Sequence, residues 1–275
     1  VSLEHLRSAA MPGPESPEER PLTVVEHALR YDRTAAVVLV VLLPVVCWAW
    51  IVAMARDMYG PMTGASAWMM TTNWDLPHLL LLWAMWIVMM TGMMLPSASP
   101  LVLLYGAAAR RSAQGTAGRD VYALTAGYLI VWAGFSLVAT VLQRGLAVFL
   151  LSSPMMESTS SRVAGTFLLI AGLYQLTPVK HACLRTCRSP LGFLVSRWRS
   201  GWSGALSLGL EHGLYCVGCC WALMLLLFAG GVMNVTVIVA LTAFIGLEKL
   251  APLGAHAARI GGVLMIAAGL WMVVR

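Results

Sequence analysis

The chain is written in long apolar blocks separated by short polar ones. Seven stretches, roughly 35–55, 77–95, 121–142, 160–177, 204–230, 233–250 and 255–274, are almost continuously hydrophobic. Most approach the ~20 residues that a helix needs to cross a ~30 Å hydrocarbon core at ~1.5 Å per residue. Backbone groups in lipid must be satisfied internally, which leaves helices and closed barrels. Barrel strands alternate apolar and polar residues, and these blocks do not. The pattern therefore predicts an all-α, polytopic transmembrane helical bundle of about seven spans over residues 34–275. The fourth block is short, and 143–156 is apolar enough for a re-entrant or interfacial segment, so six spans is the alternative. Residues 1–33 are polar and carry Pro12, Pro14, Pro17 and Pro21. They read as a cytoplasmic N-terminal tail, closing on a short amphipathic helix at 21–31 and lacking the apolar core of a signal peptide.

Composition agrees with the pattern. Hydrophobic residues make up 59% of the 275 and charged residues 11%, against roughly 25% charged in an average soluble domain. Mean hydropathy is +0.79. These values exclude a disordered chain, a nucleic-acid module and an ordinary soluble enzyme. The net charge of +6 is then a marker of topology, because Lys and Arg gather in cytoplasmic loops. With the N-terminus inside, the outer segments hold Arg56, Arg144, Arg162 and Arg275, and the other 14 of the 18 cations fall inside. The expectation is a multi-pass protein of the bacterial cytoplasmic membrane, N-terminus cytoplasmic, whose first partner is the lipid bilayer and which binds no nucleic acid.

The chemistry-bearing residues lie inside the apolar blocks. There are 6 Cys and 17 Met. In the fifth block, taking His212 as zero and ~100° per residue, Cys216 falls near 40°, Cys219 near −20° and Cys220 near 80°. An imidazole and two thiols thus share one stripe over two turns, with a third thiol beside them. Gly209, Gly213 and Gly218 leave room for another helix to approach. Just upstream, Cys183 and Cys187 are one helical turn apart among His181, Arg185 and Arg188, cations that favour thiolate character. In the second block His78, Met85 and Met89 lie within about 40° of one another, with Met93 at the edge of the stripe. Thiolates and thioethers are soft ligands that select Cu(I), whereas carboxylates and water suit harder ions. The competing reading of these residues is packing, since Met fills gaps and Cys behaves as a small hydrophobe. Glu211 is a candidate ligand or hydrogen-bond partner for the imidazole beside it. Glu248 and Lys249 are ionisable residues near a helix end, functional if buried and snorkelling if not. Motifs for a phosphate loop, a dinucleotide fingerprint, a zincin and a serine-nucleophile elbow are absent.

Two segments carry a family resemblance. The first is Trp83-Ala84-Met85-Trp86 with Met89-Met90 and Met93-Met94-Leu95-Pro96. The second runs from Lys180, Cys183-Leu184, Cys187-Arg188 and Pro190 through Gly213, Tyr215-Cys216, Gly218-Cys219-Cys220-Trp221 and Leu223-Met224 to Glu248-Lys249. Over roughly residues 75–250 the chain resembles a bacterial family of uncharacterised integral membrane proteins described as metal-binding. The resemblance implies that these cysteines, methionines and the Glu248-Lys249 pair form the family pattern, without naming a metal. Residues and resemblance together lead to an integral membrane protein that binds a soft metal ion, copper before others, through Cys, Met and His for handling or delivery. A metallochaperone or other membrane subunits would be its partners. Two alternatives stand beside it: a membrane thiol or metal redox enzyme, and a structural subunit of a membrane complex.

Overall fold

The computed structural model describes residues 34, 36–60, 75–111, 117–149 and 160–275, and every regular element among them is helical. The N-terminal tail and its 21–31 helix lie outside the described residues. A short π-helical stretch, Val38–Leu42, leads into α1 (Leu43–Met58). Then come α2 (Leu76–Arg111), α3 (Ala117–Val148), α4 (Ser161–Gln175), α5 (Pro178–Arg188) and α6 (Pro190–Arg197). The chain closes with α7 (Gly201–Met224), α8 (Leu226–Gly230), α9 (Val235–Leu250) and α10 (Gly254–Val274). Prolines at the first turns of α5 and α6 and side-chain caps from Ser160, Thr177 and Asn234 explain where the chain breaks into separate helices.

The all-helical expectation holds, but the count of seven spans does not. Among the described residues, five helices are long and apolar enough to cross a membrane: Val38–Met58, Leu76–Arg111, Gly118–Val148, Gly201–Gly230 and Gly254–Val274. A sixth is reached only if α4 and α5 are taken as one span bent by 68°. The fourth and sixth apolar blocks form α4 and α9, of 15 and 16 residues. Such helices reach about 22–24 Å, short of a ~30 Å core. Composition alone counted them because apolar loop residues extended their blocks. The third block runs on as helix to Val148, so the first part of 143–156 continues that helix.

Two packing details position the interior. The helices α3 and α7 make the most extensive contact in the bundle, followed by α4 with α10 and α2 with α3. The first depends on Gly127 and Gly209. A Cβ on Gly209 would sit 1.9 Å from the Leu124 carbonyl oxygen, and one on Gly127 would lie 2.3 Å from that of Leu206. Only glycine lets these backbones meet. In α2, Pro96 and Pro100 lie inside the helix and lack the N–H that would bond four residues back. The two freed carbonyls find other donors. Trp48 Nε1 of α1 donates to Gly92 O at 3.1 Å, and Ser99 Oγ donates to Pro96 O at 2.7 Å.

Candidate metal centre

The thiols of α5 and α7 meet in the interior. Cys187, Cys216, Cys219 and Cys220 are all buried, and none is in a disulfide. Cys219 Sγ lies 3.2 Å from Cys220 Sγ and 3.8 Å from Cys187 Sγ, and it donates to Cys216 O at 3.2 Å. The Cys216 thiol lies beside them, one turn before Cys219 and Cys220 on α7. Tyr128 of α3 and Lys249 of α9 reach the same sulfur. Tyr128 Oη is 3.1 Å away, and Lys249 Nζ donates at 2.8 Å. Both partners also touch α2: Tyr128 donates to Met94 O at 3.0 Å and Lys249 to Ser97 Oγ at 3.2 Å. The methionine helix and the cysteine helix are thus joined through side chains of α3 and α9.

Each remaining candidate has a place. His212 is 3% exposed, beside the rings of Tyr128 and Phe193, and its Nδ1 has no hydrogen-bond partner. Together with Cys187, Arg188, Ser97 and Lys249 it lines a cavity of about 210 Å³ next to the thiols. Cys183 is half-buried beside Gly218, where an added Cβ would come within 3.0 Å of its sulfur. No contact between it and the other thiols is seen. Met85, Met89 and Met93 are buried to 1% or less, as are Met90 and Met94. Along α2, Met93 lies about 6 Å from Ser97, Met89 about 12 Å and Met85 about 18 Å. His78, also buried, is about 28 Å from Ser97 along the axis. It cannot share an ion with the thiols.

Three expectations change. Glu211 is not beside the imidazole's free nitrogen; it forms an ion pair with Arg197, whose guanidinium also lies over Phe193 and Tyr215. The cation at the thiols is Lys249 rather than Arg185 or Arg188, since Arg188 donates to the carbonyls of Glu248 and Pro252 at 2.9 Å each. Glu248 and Lys249 do not snorkel: they are 1% and 6% exposed. Glu248 accepts from Lys180 Nζ at 2.8 Å and from Gln175 Nε2 at 2.6 Å. Neither Tyr128 nor Ser97 stands out in the sequence; Lys180 belongs to the segment that carries the family resemblance, and Thr177-Pro178 marks the start of its helix.

The sulfurs and the orphaned imidazole nitrogen form a donor set suited to a cuprous ion, with a buried ammonium beside them as a counter-charge for thiolate. Among the described residues, no three His, Cys, Asp or Glu side chains form a ready-made metal cage; the thiols touch one another in a cluster. The PpoB2 family of copper chaperones matches residues 83–272. The chain belongs to this copper chaperone family. Membership in the PpoB2 family ties the chain to copper handling, and the matched region runs from the start of the methionine ladder through the thiols to the end of α10. No curated protein and no solved structure matches the chain.

Proposed function

We propose that the protein is a membrane-embedded copper chaperone that takes up a cuprous ion, holds it at the α5–α7 thiols and passes it to an acceptor. The observation that carries this reading is the meeting of the buried Cys187, Cys216, Cys219 and Cys220 from two helices, with His212 and a small cavity alongside. Membrane embedding rests on the five long apolar helices. The cations of α5, α6 and the link before α7 gather on the side of the thiols, where Arg185, Arg197 and Arg199 are exposed. The positive-inside rule makes that the cytoplasmic side of a bacterial inner membrane. His78, Met85, Met89 and Met93 then descend from the opposite side towards the thiols and act as a thioether path for the ion. The test is metal analysis of the purified full chain, reduced and loaded with Cu(I), against Cys216→Ser/Cys219→Ser. The wild type retains copper through gel filtration and the double variant does not. Equal copper in the two, or none in either, ends the proposal.

A second reading, a dithiol–disulfide protein, is favoured by the 3.8 Å between Cys187 and Cys219 sulfurs on different helices. Two thiols would lose two electrons and two protons to form one disulfide. Mass-resolved alkylation before and after mild oxidation decides it. If Cys187 and Cys219 remain alkylatable after oxidation, this reading is wrong.

A further inference from the structure

Beside the thiols lies the cavity of about 210 Å³, whose lining carries Arg188 and Lys249 and, among the described residues, no carboxylate. Arg188 is the informative cation. A guanidinium is permanently charged and holds five N–H donors. Two of them serve the backbone carbonyls of Glu248 and Pro252. The Glu248 carboxylate accepts instead from Lys180 and Gln175. Lys249 is held by Ser97 Oγ and Cys216 Sγ. Even a thiolate at Cys216 would match Lys249 and leave Arg188 without a counter-charge. A second observation points to a ligand. His212 lines the same cavity and is 3% exposed, and its Nδ1 has no hydrogen-bond partner. Buried polar atoms in native structures are almost always bonded.

We propose that this cavity binds a small carboxylate, and that the carboxylate belongs to a soluble thiol that exchanges the cuprous ion with Cys187. A carboxylate is favoured because the guanidinium donors form a planar fork that matches its two oxygens. Pro100, Leu101, Pro190 and Leu250 make the rest of the wall apolar, which suits a short hydrocarbon link, and Cys187 lies on the same wall. A ligand with a carboxylate at one end and a sulfur a few bonds away therefore reaches from Arg188 to the nearest of the buried thiols. The cavity is smaller than the roughly 300–1,000 Å³ of drug-sized sites, so the ligand is a small molecule. The exposed Arg185 on α5 adds to the positive field that draws anions to this side. The second half of the proposal rests on the copper-handling reading above. In the exchange, the carrier's copper–sulfur bond breaks as one to Cys187 forms. The Cys187 thiol proton passes to the departing sulfur, copper stays cuprous, and no electron moves.

The carboxylate site is tested without metal. The full chain, reduced in detergent, is alkylated in parallel with iodoacetate and iodoacetamide, an anionic and a neutral reagent of nearly equal size. Mass spectrometry reads the rates at Cys187 and at Cys183. The ratio of the two rates at one sulfur cancels that sulfur's own ionisation. The iodoacetate-to-iodoacetamide ratio is expected to be about tenfold higher at Cys187 than at Cys183. R188Q brings it down to the Cys183 value, and R188K keeps most of it. Propionate added to the wild type slows both reagents at Cys187 and neither at Cys183, a comparison that needs no variant to fold. Equal ratios at the two cysteines, no effect of propionate, or a Cys187 that neither reagent reaches overturns the inference. The carrier is tested by loading the protein with Cu(I) from mercaptopropionate and from mercaptoethanol. The wild type favours the anionic thiol by about tenfold in rate relative to R188Q. A preference that R188Q leaves unchanged overturns the carrier. A chain that takes no copper from either thiol, yet keeps its iodoacetate preference at Cys187, refutes the copper reading and leaves the carboxylate site standing.

Discussion

The methionines of α2 and the thiols of α7 are equally buried, yet their surroundings differ in kind. Met85, Met89, Met90 and Met93 share one buried cluster with Ile51, Leu82, Trp86 and the thiols themselves, and among the described residues no polar side chain is seen bonded to their sulfurs. The thiols are ringed by an ammonium, a phenol, an imidazole and one another. The difference follows from ligand charge. A thioether binds a soft ion without ionising, so it needs no counter-charge and can stay in hydrocarbon. A thiol binds as thiolate, and a thiolate in the interior needs partners. Burial alone says nothing about which sulfurs are functional; the company of a fixed opposite charge does.

The comparison can be broken in four ways. The largest effect is expected when sulfurs are exchanged in pairs. Cys216→Ser/Cys219→Ser should lower Cu(I) affinity by more than about a hundredfold, roughly 3 kcal/mol or more. Met89→Leu/Met93→Leu should hold it within a few-fold and slow the rate of loading instead. Competition with a cuprous chelator and stopped-flow loading read the two. If the methionine pair matters as much to affinity as the cysteine pair, the ladder belongs to the site itself. Next, Glu248→Gln leaves Lys180 without its partner in the interior, and thermal unfolding in detergent should show a loss of about 3–5 kcal/mol. Stability within 1 kcal/mol of wild type would mean that water reaches this pair. His212→Ala should weaken Cu(I) binding several-fold, about 1 kcal/mol, while leaving the melting temperature nearly unchanged. The smallest effect belongs to Met85→Leu, a volume-conserving change expected to cost less than about 1.5 kcal/mol and to leave the affinity of the distant thiols untouched.

Much of this was legible in the sequence, and the limits have physical causes. Helical periodicity puts His212, Cys216 and Cys219 on one face, and in the structure a single helix carries all three and buries them. Cys187 joins them and Cys183 does not, although both lie on α5 one turn apart. That outcome depends on how α5 packs across α7, which spacing within one segment cannot report. The extent of α4 and α9 was overstated because hydropathy does not see where an apolar helix stops and an apolar loop begins. The burial of Lys180 and Lys249 is not legible in the sequence, because a buried charge is recognised only once its partner is known. Those partners stand 68 and 33 residues away. The copper assignment came from ligand softness and agrees with the family to which the chain belongs.

The two prolines of α2 carry one more consequence. Because Pro96 cannot donate to Gly92 O, the indole of Trp48 does so from the neighbouring helix. A Pro96→Ala change would restore the intrahelical donor and set it in competition with Trp48 for one oxygen. The effects of changing residues 96 and 48 should therefore not add. In a Trp48→Phe background, Pro96→Ala should be less harmful or even favourable, giving a coupling energy of about 0.5–1.5 kcal/mol between the two positions. The seam between α1 and α2 is in this sense an epistatic unit: a helix-breaking residue is tolerated on one side because an indole on the other completes its backbone.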